Sequence, residues 1–344
     1  MTPTIAVVIL NWNGCKLLQQ FLPSVIEHSQ NAGVTVVVAD NASTDNSIDW
    51  LKTHHPTIQR IELDKNYGFA GGYNKALAIL NTDYFLLLNS DVSPAKDWLK
   101  PLITLISKNN GHIGAIMPKI RSHATPHTFE YAGACGGFID KYGYPFCRGR
   151  MMNDIENDHG QYDNDSREIF WASGAALLVK ASLYTELGGL DEHFFAHMEE
   201  IDLCWRMKNR GYQILCEPQS VVYHVGGATL DQSHPRKTFL NFRNNLYLLV
   251  KNLPKEAFAR TLITRMLLDG IAAIKFLVSG EFGFFMAVFK AHLSFYQHAP
   301  RYFKERQCNK NHIPQKKLPE VYPGSFIYDY YIRKKRKYSD LLNY

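Results

Sequence analysis

A chain of 344 residues with 46% hydrophobic and 20% charged residues has room for one large domain or a domain with an extension, and is too apolar to be disordered by default. Its net charge of +6 is modest and partly gathered near the end in Arg333-Lys334-Lys335-Arg336-Lys337, which suits a solvated or lipid-facing segment and makes no case for nucleic acid. The six cysteines (Cys15, Cys135, Cys147, Cys204, Cys216, Cys308) lack paired metal-ligand spacing and read as reduced cytosolic thiols, although Cys135 and Cys147 flank a Gly-rich turn and could pair under oxidising conditions.

The first run, Ile5-Ala6-Val7-Val8-Ile9-Leu10, has no basic region or cleavage site before it and reads as a buried strand rather than a targeting peptide. Similar runs at 34–39, 58–63, 84–88 and 113–117 alternate with helical patterns. That alternation predicts an α/β fold with a mainly parallel sheet flanked by helices. Ligands of such sheets bind beyond the carboxyl ends of the strands, so the polar residues that follow each run are the candidates.

Asn11-Trp12-Asn13-Gly14 follows the first strand, and Asp40-Asn41-Ala42-Ser43-Thr44-Asp45 the second. Asp45 reads as a helix cap near Ser47. Asp40 ends a wholly apolar strand, where an acid is costly unless it meets a ligand or a donor. Asn66-Tyr67-Gly68-Phe69-Ala70-Gly71-Gly72-Tyr73-Asn74 lacks the Lys-Ser/Thr ending of a P-loop, but its glycines let a ligand approach a helix start closely. After the fourth strand, Asn89-Ser90-Asp91 places a carboxylate where a divalent ion could bridge phosphate oxygens.

Residues 122–166 lack periodicity and read as long loops and short strands that could close over a substrate. Strand character resumes at 171–179, with Trp171 either an acceptor platform or a core residue and small residues around Gly174 leaving room for a bound group. In His197-Met198-Glu199-Glu200-Ile201-Asp202-Leu203-Cys204-Trp205-Arg206, a helix puts Glu199, Asp202 and Arg206 on one side and Glu200 on another. The acids either complement the helix dipole or supply a general base. Short strands are expected at 213–216 and 221–224, with His224 opening a Gly226-Gly227 turn, where an imidazole is either structural or a metal ligand.

In combination and order, these segments resemble family 2 glycosyltransferases of the GT-A fold, the inverting group that includes bacterial rhamnosyltransferase-like enzymes. The resemblance implies a GT-A catalytic domain over residues 1–250 and a nucleotide-sugar donor. Asp40 would meet the base or ribose with Leu10 and Asn11 nearby, and Asn66, Gly71, Asn74, Asn89, Ser90 and Arg243 would complete the donor site, Arg243 near the diphosphate. Asn89-Ser90-Asp91 stands in the place of an Asp-x-Asp motif with its first acid replaced, leaving Asp91 and His224 as ligands of Mn2+ or Mg2+. Glu200 takes the role of base, where the family has Asp. The extra methylene reaches about 1.5 Å further if extended, so Glu199 and Asp202 stay in the candidate set. Trp171 and Gly174 would face the acceptor. The implied reaction is a metal-assisted single displacement onto a hydroxyl of a glycan or lipid-linked acceptor, as in cell-envelope polysaccharide biosynthesis.

Residues 251–344 form a helical extension in which Arg265, Asp269 and Lys275 interrupt the apolar pattern, so no membrane-crossing helix is expected. Its aromatic-rich stretch around 282–296 suits packing on the catalytic domain, a homo-oligomer contact, or peripheral attachment at the inner face of a cytoplasmic membrane. No Gln-x-x-Arg-Trp motif is present, which points to one sugar per acceptor rather than a processive synthase. Two other classes compete. A non-catalytic nucleotide-sugar or glycan-binding protein would keep the fold without turnover. A sugar nucleotidyltransferase would need a Gly-rich loop with a basic residue after the first strand, which Asn11-Trp12-Asn13-Gly14 matches poorly.

Overall fold

The computed structural model describes residues 2–108, 111–226, 234–313 and 318–342; Gly227 lies outside them. The first part runs β1 (Ile5–Asn11), α1 (Cys15–His28), β2 (Val34–Asp40), α2 (Ser47–His54), β3 (Gln59–Glu62), α3 (Gly68–Leu77), β4 (Tyr84–Leu88), β5 (Val92–Pro94), α4 (Leu99–Lys108) and β6 (Ile113–Ser122). It continues with β7 (Gly137–Asp140), β8 (Pro145–Cys147), β9 (Arg150–Met151), β10 (Asp154–Ile155), β11 (Arg167–Glu168), β12 (Ala176–Lys180), α5 (Ala181–Glu186), α6 (Glu199–Asn209) and β13 (Gln213–His224). After these come α7 (Pro235–Asn252), α8 (Lys255–Val278), α9 (Phe282–Asn309), β14 (Val321–Tyr322), α10 (Phe326–Tyr331) and α11 (Ser339–Leu342).

All five apolar runs are strands, and the central ones are buried along almost their whole length, as strands covered on both faces must be. Among the described residues, nine strands form the main sheet, with β1 parallel to β2 and β4, and β2 parallel to β3. β12 is inserted antiparallel between β4 and β6, so the sheet is mixed. This strand begins only at Ala176; Trp171, five residues earlier, makes an isolated bridge to Gly137. The two strands expected at 213–216 and 221–224 are one, β13, parallel to β6 and bulged between Glu217 and Val221.

The aperiodic segment at 122–166 contributes β7 to β10, which with β14 make a second sheet of five strands among the described residues. β14 pairs in parallel with β7, and the Phe326 ring stacks on Phe146 at 4.9 Å, so residues after 320 complete this sheet. A single apolar core reaches from Ile5 to Leu341.

One buried carboxylate ties α6 to α7. Asp202 of α6 accepts hydrogen bonds from Arg206 Nε at 2.8 Å, Lys251 Nζ at 2.9 Å and Asn252 Nδ2 at 2.9 Å. Lys251 also reaches Asp191 at 2.7 Å, and the Arg206 guanidinium donates to the carbonyls of Leu187 and Gly189, both at 2.8 Å. Burial alone would raise the Asp202 pKa, but Arg206 and Lys251 outweigh it and hold the carboxyl below its usual range. Its contribution is therefore complete at neutral pH and is lost only as the pH falls from the unfolded value through the depressed folded one. Asp202→Ala leaves the buried Arg206 guanidinium without its anion, strips Lys251 of one of its two close carboxylates, and is expected to cost about 3–5 kcal/mol in urea unfolding; a loss below about 1 kcal/mol, the range of surface pairs, would show that the network is not a structural tie.

Candidate active site

The loops after β1 and β2 are knitted together at the carboxyl edge of the sheet. Asn11 lies opposite Asp40 in register, and its Nδ2 donates to Asp40 Oδ1 at 2.9 Å. Asp40 also accepts from the Ser43 backbone N–H at 2.8 Å and from Ser43 Oγ at 2.6 Å, so the acid that ends an apolar strand meets donors of its own chain. Asn11 Oδ1, in contrast, is buried with no partner. Asp45 caps two helix starts, accepting from Ser47 N–H at 3.0 Å and Cys15 N–H at 3.0 Å. Gly72 of α3 lies against Leu10, whose methyls would stand 2.9 Å from any Cβ placed there.

Asp91 and His224 meet across the β5–β13 pairing, where His224 lies opposite Val92. His224 Nε2 is 3.1 Å from Asp91 Oδ1, and its Nδ1 is 3.4 Å from Glu130 Oε2, an ion-pair contact without hydrogen-bond geometry. Burial would push the imidazole pKa down, but the Asp91 and Glu130 carboxylates overcome it and hold it up at about 10. Two buried acids thus demand a positive charge at this point, the demand a divalent ion would meet. The 3.1 Å spacing also fits adjacent ligands of one octahedral ion, which at about 2.1 Å from the metal stand roughly 3 Å apart. No three His, Cys, Asp or Glu side chains among the described residues are arranged to hold an ion alone, so phosphate oxygens and water would complete the shell.

Glu200 is brought to the same edge through β12. Asn89 N–H donates to Ala175 O at 3.0 Å, and a Cβ on neighbouring Gly174 would stand 3.9 Å from Glu200 Cβ and 3.6 Å from Phe69. The turn entering α6 is strained, with Phe195, His197 and Met198 at φ of 65°, 69° and 75°. Asn244 of α7 clamps it, donating to the carbonyls of Phe194, Ala196 and His197 at 2.8–2.9 Å. His197 Nε2, Glu199 Oε2 and Glu200 Oε2 are all buried with no partner in the protein, a concentration of unpaired polar atoms that singles out the start of α6. Burial raises the Glu200 pKa to about 7. Glu199 is pushed well above the carboxylate range, by burial first and then by the charge of Glu200. His197 falls to about 4, mainly through burial and then through Lys237, and is neutral.

Several sequence candidates are engaged elsewhere. Asp202 is saturated by Arg206, Lys251 and Asn252, which removes it from the set of bases. Trp171 is core rather than acceptor platform: it is buried beneath Gly137 and donates to Phe138 O at 2.9 Å. Asn74 is consumed by the 184–192 loop, donating to Leu190 O at 2.8 Å and accepting from Tyr184 Oη at 2.7 Å. Asn66 Oδ1 accepts from Asn41 and from Gly68 N–H, and Gly71 packs beside Tyr67 and Glu192. Arg243 donates to the carbonyls of His193 and Phe194, both at 3.1 Å, which makes it a second brace for the strained turn. Cys135 is near Cys216, with sulfurs 3.9 Å apart, rather than paired with Cys147. Glu130 and Asn244 went unnoticed in the sequence, since neither follows an apolar run nor belongs to a motif.

Residues 6–145 match the family described as Glycosyl transferase family 2. That segment is a family 2 glycosyltransferase domain, and the chain's relatives include rhamnosyltransferases. It is 24% identical over 237 residues to N-acetylglucosaminyl-diphospho-decaprenol L-rhamnosyltransferase of Mycobacterium tuberculosis, covering 65% of this chain and 76% of that one. It is 25% identical over 253 residues to the low-salt glycan biosynthesis hexosyltransferase Agl10 of Haloferax volcanii, covering 71% and 75%. Among solved structures, GalNAc-T7 with UDP, GalNAc and Mn2+ superposes with a TM-score of 0.57 at 17% identity, over 73% of this glycosyltransferase but only 49% of that protein. This likeness shows the GT-A fold.

If Glu130 orients the His224 ring of this glycosyltransferase for an ion, Glu130→Gln should weaken Mn2+ binding about 10–100-fold. Calorimetric titration in the presence of a nucleoside diphosphate would measure it, and unchanged affinity would separate Glu130 from the ion's surroundings.

Proposed function

We propose that this enzyme moves one sugar per encounter from a nucleotide-sugar donor to a hydroxyl of a glycan or lipid-linked acceptor, with inversion at the anomeric carbon. The observation that carries this reading is the Glu200 carboxylate: half-buried as a residue, with its Oε2 enclosed and without a protein partner, poised near neutrality, and seated beside Gly174 at the strand edge that also bears Asp91. An acceptor O–H donating to Oε2 would pass its proton to Glu200 as its oxygen attacks the anomeric carbon. The bond from that carbon to the diphosphate oxygen breaks on the opposite face, and the departing diphosphate keeps the electron pair. Burial and then the Glu200 charge push the Glu199 pKa well above the carboxylate range, so Glu200 is the acid of the pair that ionises more readily.

Asp91 and His224 would hold Mn2+ or Mg2+, with Glu130 behind His224; such an ion supplies charge neutralisation for the leaving diphosphate. Solved GalNAc-T7 holds UDP and Mn2+ on the same fold, which supports the assignment. Asn11 Oδ1, buried and unpaired, is available to accept from the base or ribose, with Asp40 fixing its amide. A lipid-linked acceptor is favoured by the decaprenol diphosphate acceptor in the name of the mycobacterial relative. No described helix is long and apolar enough to cross a membrane, so access to such an acceptor would be from a peripheral position.

Glu200→Gln removes the base with little change in shape and is expected to lower kcat by about 10²–10⁴. Nucleoside diphosphate binding, followed by thermal stabilisation, should persist. Retained turnover would move the base elsewhere. Because Glu200 must be ionised to act, kcat should climb with pH through about 7 and then level off; a profile flat across neutral pH would contradict the assignment.

A further inference from the structure

α8 is built inside out. Its inward face carries the polar residues: Arg265 and Asp269 are buried and paired at 2.7 Å, Asp269 also lies 3.2 Å from His292 of α9, and the Arg265 guanidinium stacks 3.9 Å over the Tyr144 ring. Its outward face carries Ile263, Leu267, Ile271, Ile274 and Val278, each between 60% and 83% exposed. At about 100° per residue these five fall within roughly 80° of one another, so they form one stripe. α9 adds a second stripe, Phe282, Phe289, Leu293, Tyr296 and Phe303, between 41% and 61% exposed. Tyr296 Oη reaches Met266 Sδ at 3.9 Å and Phe276 stacks on Phe284 at 5.4 Å, which sets the stripes side by side. A water-facing helix pair would have the opposite polarity.

The rim of this face is basic. Lys275 and Lys290 are exposed at its flanks, Arg260 and Lys304 lie toward its far end, and Lys275 sits 5.5 Å over the Tyr331 ring. That contact brings the exposed Tyr328, Tyr331 and Ile332 and the basic run from Arg333 alongside α8. The run is not a loose tail, since Arg333 pairs with Asp329 at 3.2 Å and Arg336 with Asp154 at 3.4 Å, which fixes it in place. Apolar and aromatic side chains on the flat of the face with Lys and Arg at its border are the pattern of a surface that rests in the headgroup region of an anionic bilayer. A two-fold dimer through the same face would set the basic rim against itself.

We infer that the α8–α9 face is a docking surface for an anionic lipid bilayer, lying in the interface without crossing it. This deepens the proposed use of a lipid-linked acceptor and rests on that reading for its purpose, but not for its physical basis. Purified full-length protein is expected to float with vesicles of phosphatidylglycerol and phosphatidylcholine and to bind pure phosphatidylcholine more weakly. Leu267→Gln, Ile271→Gln and Ile274→Gln together should lower vesicle binding at least about tenfold with an unchanged melting temperature. Lys275→Glu with Lys290→Glu should abolish the preference for anionic vesicles. The inference is overturned if the parent protein does not float, if the apolar variant floats as the parent does, or if that variant only converts a dimer to a monomer in light scattering. Nucleoside diphosphate release with a water-soluble acceptor analogue should be the same in parent and variants. Its absence in all of them, with flotation intact, would count against the transfer reading and leave the surface standing.

Discussion

The three hydrogen bonds on Asp202 fix the rotation of α6 about its own axis, and that rotation decides which acid is anchored and which is left without a partner. Residues two apart on a helix point about 160° from each other. With Asp202 turned inward onto Arg206, Lys251 and Asn252, Glu200 must face the opposite wall, where Gly174 and Phe69 leave it space. Glu199, three residues before Asp202, stays nearer the anchored side. A buried ion network of this kind is weak evidence for stability in its own right, because desolvation offsets much of the attraction. Its value here lies in orientation: no apolar substitute would distinguish one rotation of α6 from another so sharply.

The same helix is entered through a backbone that resists it. Left-handed geometry at Phe195, His197 and Met198, none of them glycine, costs on the order of 1–3 kcal/mol each and persists only where the surroundings impose it. Asn244 spends its amide on three carbonyls of that turn, and Arg243 braces two from outside. Both come from α7, as do Lys251 and Asn252. A helix far outside the matched family segment, which ends at residue 145, therefore positions both ends of the acid cluster.

This division explains what could be read in advance. Asp91 and Asn11 follow strands whose burial is written in unbroken apolar runs, so their shared edge follows from period and length alone, whereas His224 ends a strand broken by polar residues and expected in two pieces. Glu200 is legible as an acid near a helix start, though its separation from Asp202 needs the helix to exist. Asn244, Glu130 and Lys251 act only through tertiary contact, and nothing in their local sequence distinguishes them from surface polar residues. Asn74 and Trp171 misled for the same reason in reverse. Each sits in a segment with the right composition, but Asn74 is claimed by Leu190 and Tyr184, and Trp171 by Phe138 and Gly137. The second sheet was hidden because its strands are two to four residues long, too short for alternation to register, and its last strand arrives from beyond residue 320.

α7 also carries the mechanical link between the acid cluster and the exposed helices. One side of it holds Asp202; the other packs on α9, where Tyr302 stacks on Tyr247 at 4.1 Å, Arg306 donates to Val250 O at 3.1 Å and Glu305 lies 3.7 Å from Lys251. Glu305 thus reaches the same ammonium that anchors Asp202, so the outer helix layer and the helix that carries Glu200 share a cation. Packed helices stand about 8–10 Å apart, which puts α6 no more than about 20 Å from α9. Close-packed interiors transmit displacement rather than absorb it. If the apolar face of α8 and α9 docks on a bilayer as inferred, the surface would set the height and tilt of Glu200 through a single intervening helix, and a lipid-linked acceptor would have to present its hydroxyl at that height.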